Sequence, residues 1–497
     1  MRTELNRLLC FVFFAVVLSG CVRKGAKLDP ADARTLRVHL ASEPASADPS
    51  LFEDGLGLKV LSNTVETLVG QGADGKLELR AAESYTVSKD GLTYRFVLRP
   101  GLKWSDGVAL EPLHFKTGIE RTLNPKTAAK LAPLLSAIDT VTASSSSVLE
   151  IRLKKRTPYF VQVLGLPIAA AQRSDVLEKN GGSWPATGPS AALYGIVSRK
   201  VDREWLLEAN PHRLGELAPD APQRVRLVIV SDEHTALALF EQGRLDLLAR
   251  VPPLEVPRLK EQKKLNIVPF WATYYVGFNT RRPALQKASS RCRLAASIKK
   301  AEIVAALKGG ESVAESWIPP GLEGYQSKPF EFEPSNATPD RLKLLGIFDS
   351  NPRNQLILEK VQADFKAVGA SLELSNMDWK SFLKELKSGN TEVFRMGWLA
   401  AFADPISHMQ VLTTGNPNNL TGWSSPAYDR LVTEIEGLPP GKLREQRVLE
   451  AQRLALAREC VVVPIYHYVQ VQGVGPRVGN FAVNGMGVVR WAGLRLL

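Results

Sequence analysis

The sequence predicts an α/β fold, a mixed and mainly parallel sheet with flanking helices, and three observations predict it. The first is the order of elements in residues 342–398. Leu344–Phe348 is a short apolar run. Leu358, Val361, Phe365 and Val368 then recur near helical spacing within residues 355–368, and Gly369 stops that helix. Ser371–Leu374 is a second strand. Asp378 is placed to cap a helix carrying Trp379, Phe382, Leu383 and Leu386, which ends at Gly389-Asn390, and Thr391–Trp398 is a third strand. This β-α-β-α-β order demands right-handed crossovers and parallel strands. The second observation is alternation of apolar and polar residues at 36–41 and 93–98, the period of half-buried strands. The third is size and composition: 497 residues, 44% apolar and 23% charged, describe an ordinary globular chain long enough for two or three domains.

The remaining elements follow the same rules. Lys103-Trp104-Ser105-Asp106-Gly107 is a turn cluster, followed by Phe115, Ile119 and Leu123 in a helical pattern. Ser425-Pro426 opens a helix with Leu431, Val432 and Ile435 on one face. Ligands of such sheets bind beyond the carboxyl ends of strands, so the loop Leu399–Pro405, which leaves the third strand at that end, is a candidate site.

The N-terminus sets the compartment. Arg2 and Arg7 precede an apolar run from Leu8 to Leu18, then Leu18-Ser19-Gly20-Cys21 and a polar segment. A basic head, a short apolar core and small residues before a break read as a signal peptide over residues 1–20. The run is too short for a membrane span, which takes about 20 residues. Leu-Ser-Gly-Cys resembles the bacterial lipobox, which implies cleavage before Cys21, a diacylglycerol on its thiol and a tether over residues 21–35. Acyl chains anchor stably because each buried methylene adds about 0.8 kcal/mol. The expected location is extracytoplasmic and lipid-anchored, in the periplasm of a diderm or on the outer surface of a monoderm.

The net charge of +12 is scattered rather than run together, which suits a solvated surface near an anionic membrane. No recognition motif accompanies it, so nucleic acid is not expected as a partner. Cys10 lies in the signal segment, which leaves Cys292 and Cys460 either as two buried free thiols or as a disulfide, which an extracytoplasmic setting allows. There is no GxSxG, HExxH, Walker A or GxGxxG motif, and no two of the six histidines have zinc-ligand spacing on a helix. We therefore expect neither an enzyme nor a cofactor nor a resident metal. His408, Met409 and His467 lie near the candidate loop and keep a metal chelate open as ligand.

Several segments together resemble the family 5 solute-binding proteins, the dipeptide- and oligopeptide-binding group. They are Glu43-Pro44 through Ala47-Asp48-Pro49, Arg99-Pro-Gly-Leu-Lys-Trp-Ser-Asp-Gly107, Asn180-Gly-Gly with Thr187-Gly-Pro189, Tyr275-Val-Gly-Phe-Asn279, Gly397-Trp398 with Asp404-Pro405, and Val463-Pro-Ile-Tyr466. They keep the family's order over nearly all of the chain after the signal segment. The resemblance implies the two-lobed periplasmic-binding-protein fold. Lobe 1 would comprise residues 36–50, 165–272 and 470–497, an inserted small domain 51–164, and lobe 2 residues 273–469, with two crossover strands between the lobes. It also implies a monomer that hinges shut on an extended peptide and docks on the permease and ATPase subunits of an ABC importer.

The same resemblance nominates site residues. The family's amine-binding aspartate falls at Ala401, where losing a charge-assisted hydrogen bond costs roughly 1.5–3 kcal/mol. Glu53 or Asp54 could supply an alternative carboxylate, and Asp404 matches the next acidic position, a loop residue. Arg395 matches a basic cleft position, where a guanidinium can grip a carboxylate bidentately; a surface strand arginine is the other reading. Trp398 reads as strand core or cleft floor. Phe278, Asn279, Phe402 and Tyr468 complete the candidate ligand contacts. Because of Ala401, a ligand other than a free-amine peptide stays open: an opine, a sugar, a metal chelate or an amine-blocked peptide. So does a surface peptide receptor or chaperone without transport.

Overall fold

The structure, a computed structural model, describes residues 33–332 and 342–497. The expected signal segment, Cys21 and most of the expected tether lie outside the described residues. The β-α-β-α-β unit forms as its pattern dictates. Strands Lys343–Asp349, Ser371–Met377 and Val393–Leu399 pair in parallel, with Lys343–Asp349 in the middle. Helix Pro352–Ala367 starts with Asn351 accepting from the Arg353 amide and buries Ile357, Leu358, Val361 and Phe365. Gly369 follows it at φ +81°, a left-handed conformation that glycine adopts without strain. Asp378 caps helix Trp379–Ser388 through the Lys380 and Ser381 amides at 3.0 and 3.1 Å.

These strands form one end of an 11-stranded sheet. Next to Val393–Leu399 run two long antiparallel strands, Leu265–Phe278 and Val462–Val474. Beyond them come Leu247–Leu248, Thr35–Leu40, Arg224–Ile229, Glu204–Ala209 and Tyr194–Lys200. Thr35–Leu40 is parallel to both neighbours, and the two outer strands are antiparallel. The sheet is therefore parallel at the centre of each half, antiparallel at the outer edge of one half, and antiparallel along the two strands that join the halves. Separate apolar clusters cover it, one holding Val276, Phe278, Leu358 and Phe365 and another holding Leu36, Val38, Trp205 and Val225.

Residues 82–153 contribute a four-stranded antiparallel sheet. Helix Pro112–Leu123 buries Phe115 and Ile119 beside it. Trp104 of the turn cluster is buried edge-on to His114, and the Arg121 guanidinium reaches the Asp48 carboxylate at 2.6 Å, tying this unit to the loop after Thr35–Leu40. Cys292 and Cys460 are disulfide-bonded, with Cα atoms 5.1 Å apart. This resolves the two readings that the cysteine count left open: the bond joins helix Ala288–Ser297 to the residue just before the second crossover strand. Among the described residues no helix is long and apolar enough to cross a membrane.

Candidate ligand cleft at the crossover strands

The pairing of the two crossover strands breaks at one place. Leu265–Pro269 pairs with Val469–Gly473 and Thr273–Gly277 with Val462–His467, so residues 270–272 stand opposite Tyr468 alone. Pro269 supplies no amide where the ladder stops. Trp271 uses its freed backbone elsewhere. Its amide donates to the Gly485 carbonyl at 2.7 Å, and its carbonyl accepts from the Ala400 amide at 2.8 Å. The C-terminal segment and the Leu399–Pro405 loop are thus tied to the same residue. Gly485 is required there, because a Cβ would lie 2.1 Å from the Trp271 ring.

A recess of about 260 Å³ opens beside this break. Phe270, Ala272 and Tyr468 line it from the crossover strands, Arg395 to Leu399 from the neighbouring strand, and Trp379 from the helix below. Trp379 is 49% exposed and Leu399 44% exposed. Large apolar groups clustered open to solvent make this recess a candidate binding surface. The Trp398 indole is fixed by donating to the Ser407 carbonyl at 2.7 Å. Gly397 lets the Tyr468 ring lie close, since a Cβ would be 2.8 Å from the phenol oxygen. Burial pushes the Tyr468 phenol upward, so it stays protonated as a donor.

Arg395 fits neither of its two readings fully. It lines the recess, but it is buried and ion-paired with Asp349 from the adjacent strand, with its guanidinium 5.2–5.9 Å from the ring centres of Phe382, Trp379 and Tyr274. Its Nε is buried without a hydrogen-bond partner. A ligand carboxylate would have to share this cation with Asp349.

The structure brings Arg395, Trp398 and Tyr468 together and places the other nominated residues elsewhere. Phe278 is fully buried against Phe365, and Asn279 donates to the Gly389 and Thr391 carbonyls at 2.9 Å. Both serve packing here, because the end of this strand lies in the apolar cluster that also holds Leu358 and Phe365. Asp54 caps helix Gly55–Thr64 by accepting from Gly57 and also accepts from the Ala45 amide. Glu53 pairs with Lys130. Asp404 is buried, accepts from the Ile406 amide at 2.9 Å and pairs at 2.6 Å with Arg444, which also holds Glu323. The Ala401 amide donates to Ser407 Oγ at 2.8 Å, which closes the loop on itself. Phe402 is buried and stacks on Tyr159 at 5.4 Å.

His408 and His467 are buried and held neutral, each lowered to about 3 by burial. Thr273 Oγ1 lies 3.0 Å from His467 Nδ1, while both ring nitrogens of His408 lack a partner. Among the described residues no group of three or more potential metal ligands exists. Phe270, Ala272, Trp379, Met396 and Leu399 were not legible as cleft residues. Trp379 follows the helical apolar stripe and reads as core, and only Pro269 inside the long apolar run 265–278 signals the break.

Comparison with known proteins gives this arrangement a family. Residues 76–419 match the model of bacterial extracellular solute-binding proteins, family 5 Middle. The chain is 27% identical to the dipeptide-binding protein DppE of Bacillus subtilis, over 92% of both chains. Its fold matches the unliganded open form of the murein tripeptide-binding protein MppA with a TM-score of 0.81, at 22% identity over 93% of this chain and 97% of that one. It matches Haemophilus influenzae OppA in complex with RPPGFSPFR with a TM-score of 0.74, at 21% identity over 93% and 99%. The fold is therefore the two-lobed α/β fold of periplasmic binding proteins, and the chain belongs to the bacterial extracellular solute-binding proteins of family 5, which bind substrates and are not enzymes.

Proposed function

We propose that this chain is the substrate-binding lipoprotein of an ABC importer, which captures peptides between two hinged lobes and delivers them to a permease. The observation that carries the reading is the recess beside the break in the crossover strands. There a fixed indole, a half-buried phenol and exposed apolar side chains face solvent next to the point where the lobes join. Relatives named as dipeptide- and oligopeptide-binding proteins support peptides as the substrate class. We assign lobe 1 to residues 36–50, 165–272 and 470–497, the small domain to 51–164 and lobe 2 to 273–469. Break and recess then fall at the lobe boundary. Lipidation at Cys21 would hold the monomer on the extracytoplasmic face of the membrane, beside the permease.

A specific observation favours a second reading within the same fold, a ligand without a free α-amine. Ala401 stands where the family has its amine-binding aspartate, and both carboxylates the sequence nominated as a replacement are engaged, Asp54 as a helix cap and Glu53 with Lys130. The test is native mass spectrometry of whatever co-purifies with the full chain extracted in detergent. A ladder of free-amine peptides of mixed sequence establishes the first reading. Blocked peptides, or one non-peptide species, establish the second and leave the transport role standing. Absence of any small ligand, together with failure to bind peptide libraries, would overturn both.

A further inference from the structure

A second cavity of about 310 Å³ lies apart from the cleft and shares no residue with the recess. Helix Gly55–Thr64 and the residues after it wall one side, residues 79–83 and Arg99 another, and Ala192–Tyr194, Arg213 and the C-terminal Arg490 close it. Four guanidiniums line it against three carboxylates, of which Glu83 is exposed. The other two acids are already used. Glu66 pairs with Arg213, and Glu216 pairs with Arg213 and Arg99. Neither Arg80 nor Arg490 has an acid within ion-pair distance among the described residues. Arg80 instead donates to the Ser62 carbonyl at 2.7 Å and, more weakly, to the Thr67 hydroxyl. Arg80 Nε and Arg490 Nη1 are buried without any hydrogen-bond partner.

Two neighbouring cations that line one cavity with no acid in ion-pair contact oppose each other and lose solvation, and Glu66 and Glu78 offset this only in part. Burial, then repulsion from Arg490, holds the Arg80 guanidinium down to about 9, and burial pulls Arg490 down as well. Both arginines are half-buried with a nitrogen cut off from water; a cation so desolvated is stabilised by a paired anion, and planar guanidiniums match oxyanion geometry with two parallel donors. We propose that this cavity is an oxyanion site, which takes a phosphate-type group between Arg80 and Arg490. The shared chemistry is a tetrahedral oxyanion, either free in solution or at the head of a membrane phospholipid.

The test uses the full chain in detergent and its Arg490→Gln and Arg80→Gln variants. Inorganic phosphate is titrated by calorimetry and by thermal melting. Vesicles of pure phosphatidylcholine and of phosphatidylcholine with phosphatidylglycerol are compared by flotation. For a free anion, phosphate raises the melting temperature saturably, and either variant weakens its binding at least tenfold. For a headgroup, vesicles with phosphatidylglycerol bind the parent more than the variants, and pure phosphatidylcholine does not discriminate. In both cases Arg490→Gln without anion melts no lower than the parent, since it removes a half-buried and poorly compensated charge, and cleft ligand binding is unchanged. A variant that melts lower without anion, while phosphate and vesicles act equally on parent and variant, would overturn the proposal and make these arginines structural.

Discussion

Replacing Asp404 by alanine tests whether this residue serves structure or ligand. The Arg444 side chain is 2% exposed and that of Asp404 7% exposed, with 2.6 Å between them. Removing one partner of a buried pair costs about 3–5 kcal/mol, because a charge is left in a poorly solvated place. Arg444 keeps Glu323 at 2.5 Å and the Ile435 carbonyl at 3.2 Å, so the lower end, about 3 kcal/mol, applies to the ion pair. The Ile406 amide also loses its acceptor, which adds about 1 kcal/mol. Urea unfolding followed by tryptophan fluorescence should show this as a lower midpoint at unchanged slope. The double variant Asp404→Leu with Arg444→Met should be less destabilised than Asp404→Ala, because no lone charge remains. Ligand affinity of Asp404→Ala, measured well below its unfolding transition, should stay within threefold of the parent. A loss of stability under about 1 kcal/mol, with ligand affinity down tenfold or more, would refute the structural assignment and return Asp404 to the binding site.

Trp398→Ala should weaken ligand binding by about 2 kcal/mol, the scale of a buried aromatic anchor, with little change in urea midpoint; titration calorimetry reads both affinity and enthalpy. His408 and His467 have folded values lowered to about 3, so their stabilisation is complete above the unfolded value near 6.5 and is lost as pH falls toward 3. Between pH 6 and pH 5 the pair should cost about 2.5 kcal/mol, and His408→Gln should flatten that pH slope by roughly half; an unchanged slope would show that these rings do not control it. Cys292→Ser with Cys460→Ser opens a link between residues 168 apart and should lower unfolding free energy by about 2–5 kcal/mol; equal urea midpoints with and without the bond would contradict this.

Local rules determined much of this protein from the sequence alone. Asn351, Asp378 and Ser425 accept from amides in the first turns of their helices, and Gly369 and Gly389 take left-handed conformations after two of them. These signals span a few residues and need no distant partner. The β-α-β-α-β order gave parallel strands for the same reason, since a crossover helix leaves little choice of hand or direction. The ordered motifs carried the family, because they record a whole chain rather than one contact. What a side chain does inside the cleft was decided by tertiary structure. Arg395 read as a ligand grip or a surface strand arginine until Asp349, on the neighbouring strand, was seen to pair with it. Asp54 and Glu53 looked like free carboxylates, but a helix N-terminus and Lys130 hold them. Phe278 read as a ligand contact and Trp379 as helix core, yet Phe278 is fully buried and Trp379 half exposed. A carboxylate or guanidinium is defined by the charge nearest to it, and hydrophobic periodicity reports only which face turns inward. Which charge stands nearby, and whether the inward face meets a core or an open recess, depends on residues brought together from across the chain.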